Sequence, residues 1–179
     1  MIVDTVFILN DFISMNTVIS TKHYTPLFIA AFIFMLIVPP CFAQVSGVSA
    51  DNDLSFGDVF AGIPKAIDKA TAGSAAEFTV TGIAGSDVTV EFTLPTYMND
   101  GGNNMNMIFN NTDCAMDSSS TPDQTNPDYD DLNPWDTITY GIGSGGIKIW
   151  LGGKVVPKLK QPQGNYSADI VLTVTYIAL

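Results

Sequence analysis

Apolar and polar residues alternate with a period of two in block after block from residue 53 onward, the pattern of half-buried strands. Residues 53–60 (DLSFGDVF) turn Leu54, Phe56 and then Val59 or Phe60 inward, with Gly57 marking a bulge. Residues 77–81 (EFTVT) present Phe78 and Val80, and residues 88–94 (VTVEFTL) present Val88, Val90, Phe92 and Leu94. The intervening residues 82–87 (GIAGSD) read as a short hairpin connection. Residues 104–110 (NMNMIFN) present Met105 and Met107 and then slip at Ile108-Phe109. Residues 135–140 (WDTITY) and 147–151 (IKIWL) read as strands joined by the glycine-rich hairpin GIGSGG, with a further short piece at 154–157. The last strand, 166–177, sets Ile170, Leu172, Val174 and Tyr176 on one face. Only residues 61–72 (AGIPKAIDKATA) resemble a helix. Pro64 and the flanking glycines break that pattern, so an extended connection with at most one helical turn is expected. Seven or eight antiparallel strands, fifteen glycines and many prolines predict an all-β fold, an immunoglobulin-like antiparallel β-sandwich. There is no Cys–Trp–Cys framework of the antibody type.

Residues 111–134 interrupt this rhythm. They hold six aspartates, three prolines and no basic residue, and they read as one long acidic loop.

The first 43 residues follow different rules. A continuous apolar run from Leu27 to Val38 is too short for a spanning helix, which needs about 20 residues, but fits the core of a secretory signal. Lys22 and His23 precede it, Pro39 and Pro40 end it, and Cys41-Phe42-Ala43 puts small residues at the −3 and −1 positions of a cleavage after Ala43. Residues 1–14 carry two aspartates and no lysine, so Met15 is the better start for such a signal. A lipidated Cys41 and an uncleaved anchor are the competing readings. The expected organisation is a leader over 1–43 and a single domain over 44–179, exported to the periplasm, the cell surface or the medium, with no membrane span after cleavage.

Composition narrows the chemistry. The 179-residue chain carries seven basic and eighteen acidic residues, a net charge of −11, and no arginine. A polyanion needs a basic patch, so nucleic acid is not an expected partner. Residues 44–179 contain no histidine and one cysteine, Cys114. No Ser-His-Asp or Cys-His pair can therefore form there, nor a structural zinc site. Paired carboxylates or a Ser-Lys dyad are the catalytic options left. With no internal disulfide possible in 44–179, Cys114 is either a buried small hydrophobe or an exposed thiol.

The blocks LSFGDVF (54–60), AAEFTVTG (75–82), VTVEFTLP (88–95), IKIWLGGKVV (147–156) and QPQGNYSADIVLTVTY (161–176) resemble the DUF4402 family of exported bacterial proteins. The most specific piece of that resemblance is the ending, Gly-Gly at 152–153, then Gly-x-Tyr-Ser at 164–167, then an alternating final strand, and a Gly-x-Tyr before such a strand is also similar to the end of fimbrial subunits. The resemblance implies a β-sandwich in the envelope or at the surface and carries no catalytic residues with it. The acidic loop looks like an insertion in a minimal domain.

Individual motifs add little. GIGSGG at 141–146 matches a dinucleotide-binding spacing, but a strand follows where that motif needs a helix. Gly152-Gly153-Lys154 lacks the spacing of a phosphate loop. Asp123, Asp128, Asp130, Asp131 and Asp136 fall within fourteen residues, and calcium takes six to eight oxygens, so a calcium site on Asp128, Asp130 and Asp131 is the candidate metal centre. A solvated acidic loop is the alternative. Trp135, Tyr129 and Trp150 are candidates to line a sugar site. The expected function is a non-enzymatic structural or adhesive surface protein, fimbrial-subunit-like, a monomer or weakly self-associating. The alternative is a self-contained module that binds other surface proteins or glycans, with calcium in the acidic loop.

Overall fold

The computed structural model describes residues 47–177, so the leader, Met15 and the Ala43 cleavage point lie outside the described residues. Among these residues there are twelve strands and no helix, and every pairing is antiparallel. One five-stranded sheet runs in the order β1 (Gly47–Asn52), β3 (Ala76–Thr81), β10 (Ile147–Leu151), β7 (Cys114–Asp117), β8 (Tyr129–Leu132). A second runs β2 (Lys65–Ile67), β11 (Gly153–Val156), β6 (Asn103–Ile108), β5 (Tyr97–Asp100), and a third β12 (Val171–Tyr176), β4 (Asp87–Thr93), β9 (Ile138–Gly141).

The count exceeds the expected seven or eight because the chain bends and changes sheet. Only Gly152 separates β10 from β11. A β-carbon there would lie 2.6 Å from the Ile67 carbonyl and 2.7 Å from the Lys69 nitrogen. The neighbours change sheet with it: β3 and β7 flank β10, whereas β2 and β6 flank β11. Reciprocal backbone bonds between Asn99 and Ser167, at 2.8 and 3.1 Å, join the second sheet to the segment leading into β12. The sheets thus enclose one core. Phe78, Ile149 and Met116 come from the first sheet, Met105, Met107 and Val155 from the second, and Val88, Val90 and Leu172 from the third. Phe78 and Phe92 meet edge to face at 5.9 Å, tying the first sheet to the third.

Alternation located the buried positions well and the pairings less well. Val88 and Val90 are fully buried, while Phe92 is only half-buried against the core. Along β6 the alternation does not slip: Ile108 faces solvent and Phe109 returns to the core. The final block divides, with Ser167 bridging to Asn99 and β12 beginning at Val171. Neither expected hairpin forms. β3 pairs with β1 and β10 while β4 pairs with β12 and β9, so residues 82–86 cross between sheets. A β-carbon on Gly82 would collide with the Tyr176 hydroxyl and with Ile142. GIGSGG likewise crosses from β9 to β10. Gly146 there has φ +91° and sits against the Val80 carbonyl, which accounts for a glycine in that place. Successive strands on opposite sides of one core cannot hydrogen-bond to each other.

Two further expectations change. Residues 53–60 bury Leu54 and Phe56 as their pattern predicts, but they form no ladder. Among the described residues, the Ser55 N–H donates to the Ser74 carbonyl at 2.8 Å, a single backbone tie and not a strand pairing. The strand lies upstream, as β1, in register with β3 from Gly47↔Thr81 to Asn52↔Glu77. Residues 61–72 are extended as expected and contribute β2. The long loop 111–134 is not one loop: it contains β7, buried at every position, and the edge strand β8.

Candidate functional site

β7 explains much of the acidic segment. Its sequence CAMD places Cys114 and Met116 in the core, with Ala115 and Asp117 on the outer face, and that face is covered too. Trp150, opposite Ala115 on β10, is buried there as well. Burial pushes the Cys114 thiol up to about 12, and Cys114 is unpaired. Native protein spanning residues 44–179, whose one cysteine is Cys114, is therefore expected to leave a thiol reagent unreacted at pH 8, with one equivalent consumed only after denaturation. Rapid labelling of the folded protein would contradict this burial.

Asp117 is 2% exposed and anchors the segment that follows it. Its Oδ1 accepts the Ser119 N–H at 2.7 Å and its Oδ2 the Asp123 N–H at 2.9 Å. Burial alone would raise this carboxyl, but the donors from Asp123 and Ser119 outweigh it and hold Asp117 below the usual carboxylate range. The Gln124 side chain donates to the Lys69 carbonyl at 2.7 Å, so the 118–128 segment is tied at a second point. Sequence reasoning missed Asp117. Its one signal was an aspartate followed by serines, the composition of an Asx turn.

The three candidate calcium residues are divided between different partners. Asp128 Oδ2 accepts the Ser118 N–H at 3.2 Å. Asp130 and Asp131 lie 3.0 and 2.7 Å from the Lys69 ammonium, which also donates to the Thr112 carbonyl at 2.8 Å. Burial would lower the Lys69 pKa, but hydrogen bonds to Asp131 and Asp130 reverse this and raise it. Asp131 sits at φ 54° where β8 bulges against β7, which lets two consecutive residues reach one ammonium. Asp123 binds Thr125, and Asp136 accepts from Asn133. Among the described residues no three His, Cys, Asp or Glu side chains are placed together to hold a metal ion.

The three candidate sugar-lining aromatics are also dispersed. Trp150 is buried, Tyr129 meets Tyr140 at 5.0 Å, and Trp135 meets Phe109 at 6.3 Å while its Nε1 donates to the Phe109 carbonyl at 2.9 Å. None of them lines the cavity beside residues 53–61.

That cavity is a groove of about 740 Å³ between residues 53–61 and 161–168. Leu54, Phe56, Met105 and Val155 form its floor, and Phe60 and Tyr166 add two further aromatic rings to its walls. The Tyr166 hydroxyl is fixed between the Gln161 amide, which donates at 2.7 Å, and the Pro162 carbonyl, which accepts at 2.9 Å. Gln161 also donates to the Asn104 carbonyl at 3.3 Å. The wall carrying Tyr166 is thereby braced against β6. The sequence held half a signal for this site, the strand-patterned block 53–60 that finds no ladder.

Twelve antiparallel strands around one core, with an open groove at the surface, make this an all-β sandwich domain. The chain belongs to the DUF4402 family, a domain of unknown function whose family model matches residues 61–176, more than half of its length. The match begins at the end of one groove wall and includes the whole of the other. No curated protein matches the sequence.

Proposed function

We propose that this protein is a non-enzymatic, exported domain of the cell envelope or surface, structural or adhesive in role and fimbrial-subunit-like, working as a self-contained unit. The observation that carries this reading is that β1, the first strand among the described residues, pairs into a sheet of its own chain. β1 pairs with β3 across six residues, and Leu54 and Phe56 immediately after it fill the core. At the other end β12 pairs with β4 over six positions. A fibre subunit that borrows a strand would leave such a place open for its neighbour. Here the chain fills it, and binding falls to the groove and the loops.

The test is fractionation of the producing cells, N-terminal sequencing of the exported protein and light scattering on the purified material. A chain starting at Gln44, outside the cytoplasm and monomeric, is expected. Retention in the cytoplasm with an intact N-terminus would overturn export. Stabilisation of the subunit by an added peptide of residues 44–56 would overturn self-sufficiency and make it a strand-exchanging fibre subunit.

A further inference from the structure

The groove between residues 53–61 and 161–168 has side chains that no part of the domain uses. On one wall the Ser55 hydroxyl and the Asp58 carboxylate have no side-chain partner among the described residues. On the other, the Gln163 and Asn165 amides and the Ser167 hydroxyl are equally unengaged. Phe60 stands at the rim, 71% exposed, an arrangement that costs the free protein apolar exposure. The floor residues Leu54, Phe56, Met105 and Val155 are almost wholly buried, while Val59, Met98, Pro162 and Ala168 add apolar surface to the lining, so the groove offers a ligand polar groups and apolar surface side by side.

Each feature restricts the ligand. Amides and hydroxyls both donate and accept, whereas a carboxylate only accepts, so the complementary partner carries many groups able to do both. An exposed phenyl ring asks for one apolar face among those polar groups. Asp53 and Asp58 line the groove and no lysine does, which disfavours phosphates, sulfates and carboxylates. A pyranose has hydroxyls around its rim and a C–H face, and a chain of them suits an open groove. We propose that this groove binds a neutral oligosaccharide, with Phe60 stacking on a sugar ring and Asp58, Gln163 and Asn165 taking its hydroxyls. The inference rests on the adhesive reading above and supplies its ligand class. The braced Tyr166 wall adds preorganisation, so less ordering is needed on binding.

The experiment is calorimetric titration of the purified protein with cellohexaose, maltohexaose and chitohexaose, with hexagalacturonate as the anionic control. At least one neutral sugar is expected to bind saturably, and the anionic one at least about tenfold more weakly. Phe60→Ala and Asn165→Ala are each expected to lower affinity about tenfold, and Phe60→Trp to retain it. Both positions are exposed, so unchanged melting temperatures verify that the variants are folded. No binding by any of the three sugars up to about 10 mM would overturn the proposal, as would binding that survives both alanine substitutions. Binding of a Lys-Val repeat peptide in place of all three sugars would overturn it too and make the groove a peptide site. Binding is read on purified protein and export on cell fractions, so the two proposals fail separately.

Discussion

Phe78→Ala is expected to destabilise the domain by about 3–5 kcal/mol, because deleting a buried ring loses its transfer energy and leaves a cavity. Phe78 is completely buried in the middle of β3, opposite Ala50 of β1 and Ile149 of β10. It is packed from within its sheet and, through Phe92, from the third sheet, so little can collapse into the space it leaves. Phe92→Ala removes the other ring of that contact from a half-buried position and should cost less, about 1.5–3 kcal/mol. Glu91→Ala, on the solvent face, loses one exposed bond from the Thr137 hydroxyl, at 2.5 Å, and should cost below about 1 kcal/mol. Urea midpoints at constant slope measure all three. A larger loss at Glu91 than at Phe92 would mean that β4 presents the opposite face.

Asp117→Ala is the second large effect, expected at about 2–4 kcal/mol because two charge-assisted bonds from backbone amides are lost at a covered site. Asp117→Asn keeps the shape and an acceptor oxygen and should cost about half as much. The pH dependence has a definite sign. The folded-state pKa of Asp117 is depressed, so its contribution is fully present above the unfolded carboxyl value, near about 3.9, and is lost as pH falls through the folded value. The stability difference between wild type and Asp117→Asn should stay flat above about pH 5 and shrink below about pH 4. A difference that grew on acidification would show that the carboxylate is not held by those amides.

Lys69 and Lys148 illustrate what charge counting misses. Only six lysines lie in residues 44–179, and two of them sit among opposed carboxylates. Lys148, on β10, reaches Glu77 on β3 at 2.5 Å and Asp51 on β1 at 2.9 Å, spanning three adjacent strands. Burial would lower its pKa, and the bonds to Glu77 and Asp51 raise it instead. These partners are distant in sequence, and nothing in the local pattern of either lysine announces them.

The all-β class and most inward positions could be read from residue order. Val88 and Val90, Ile147 and Ile149, and Ile170 and Leu172 are buried as alternation predicts, because side chains on successive strand residues point to opposite faces wherever the strand is placed. Alternation reports burial, however, and not hydrogen bonding. Residues 53–60 have the pattern and bury Leu54 and Phe56 without joining a ladder, and the two expected hairpins are crossings between sheets. β7 was hidden within an acidic stretch because four residues are too few to show a period, and because Asp117 is buried only by virtue of amides that fold back onto it. The groove depended most on tertiary structure. Its walls lie about a hundred residues apart along the chain, and neither forms a site until the sheet bends at Gly152 and the Asn99–Ser167 bridge brings the chain back. Local sequence sets which face of a segment avoids water. Which segments become neighbours is decided by the whole chain closing around a single core, where long-range contacts compete for the same buried space.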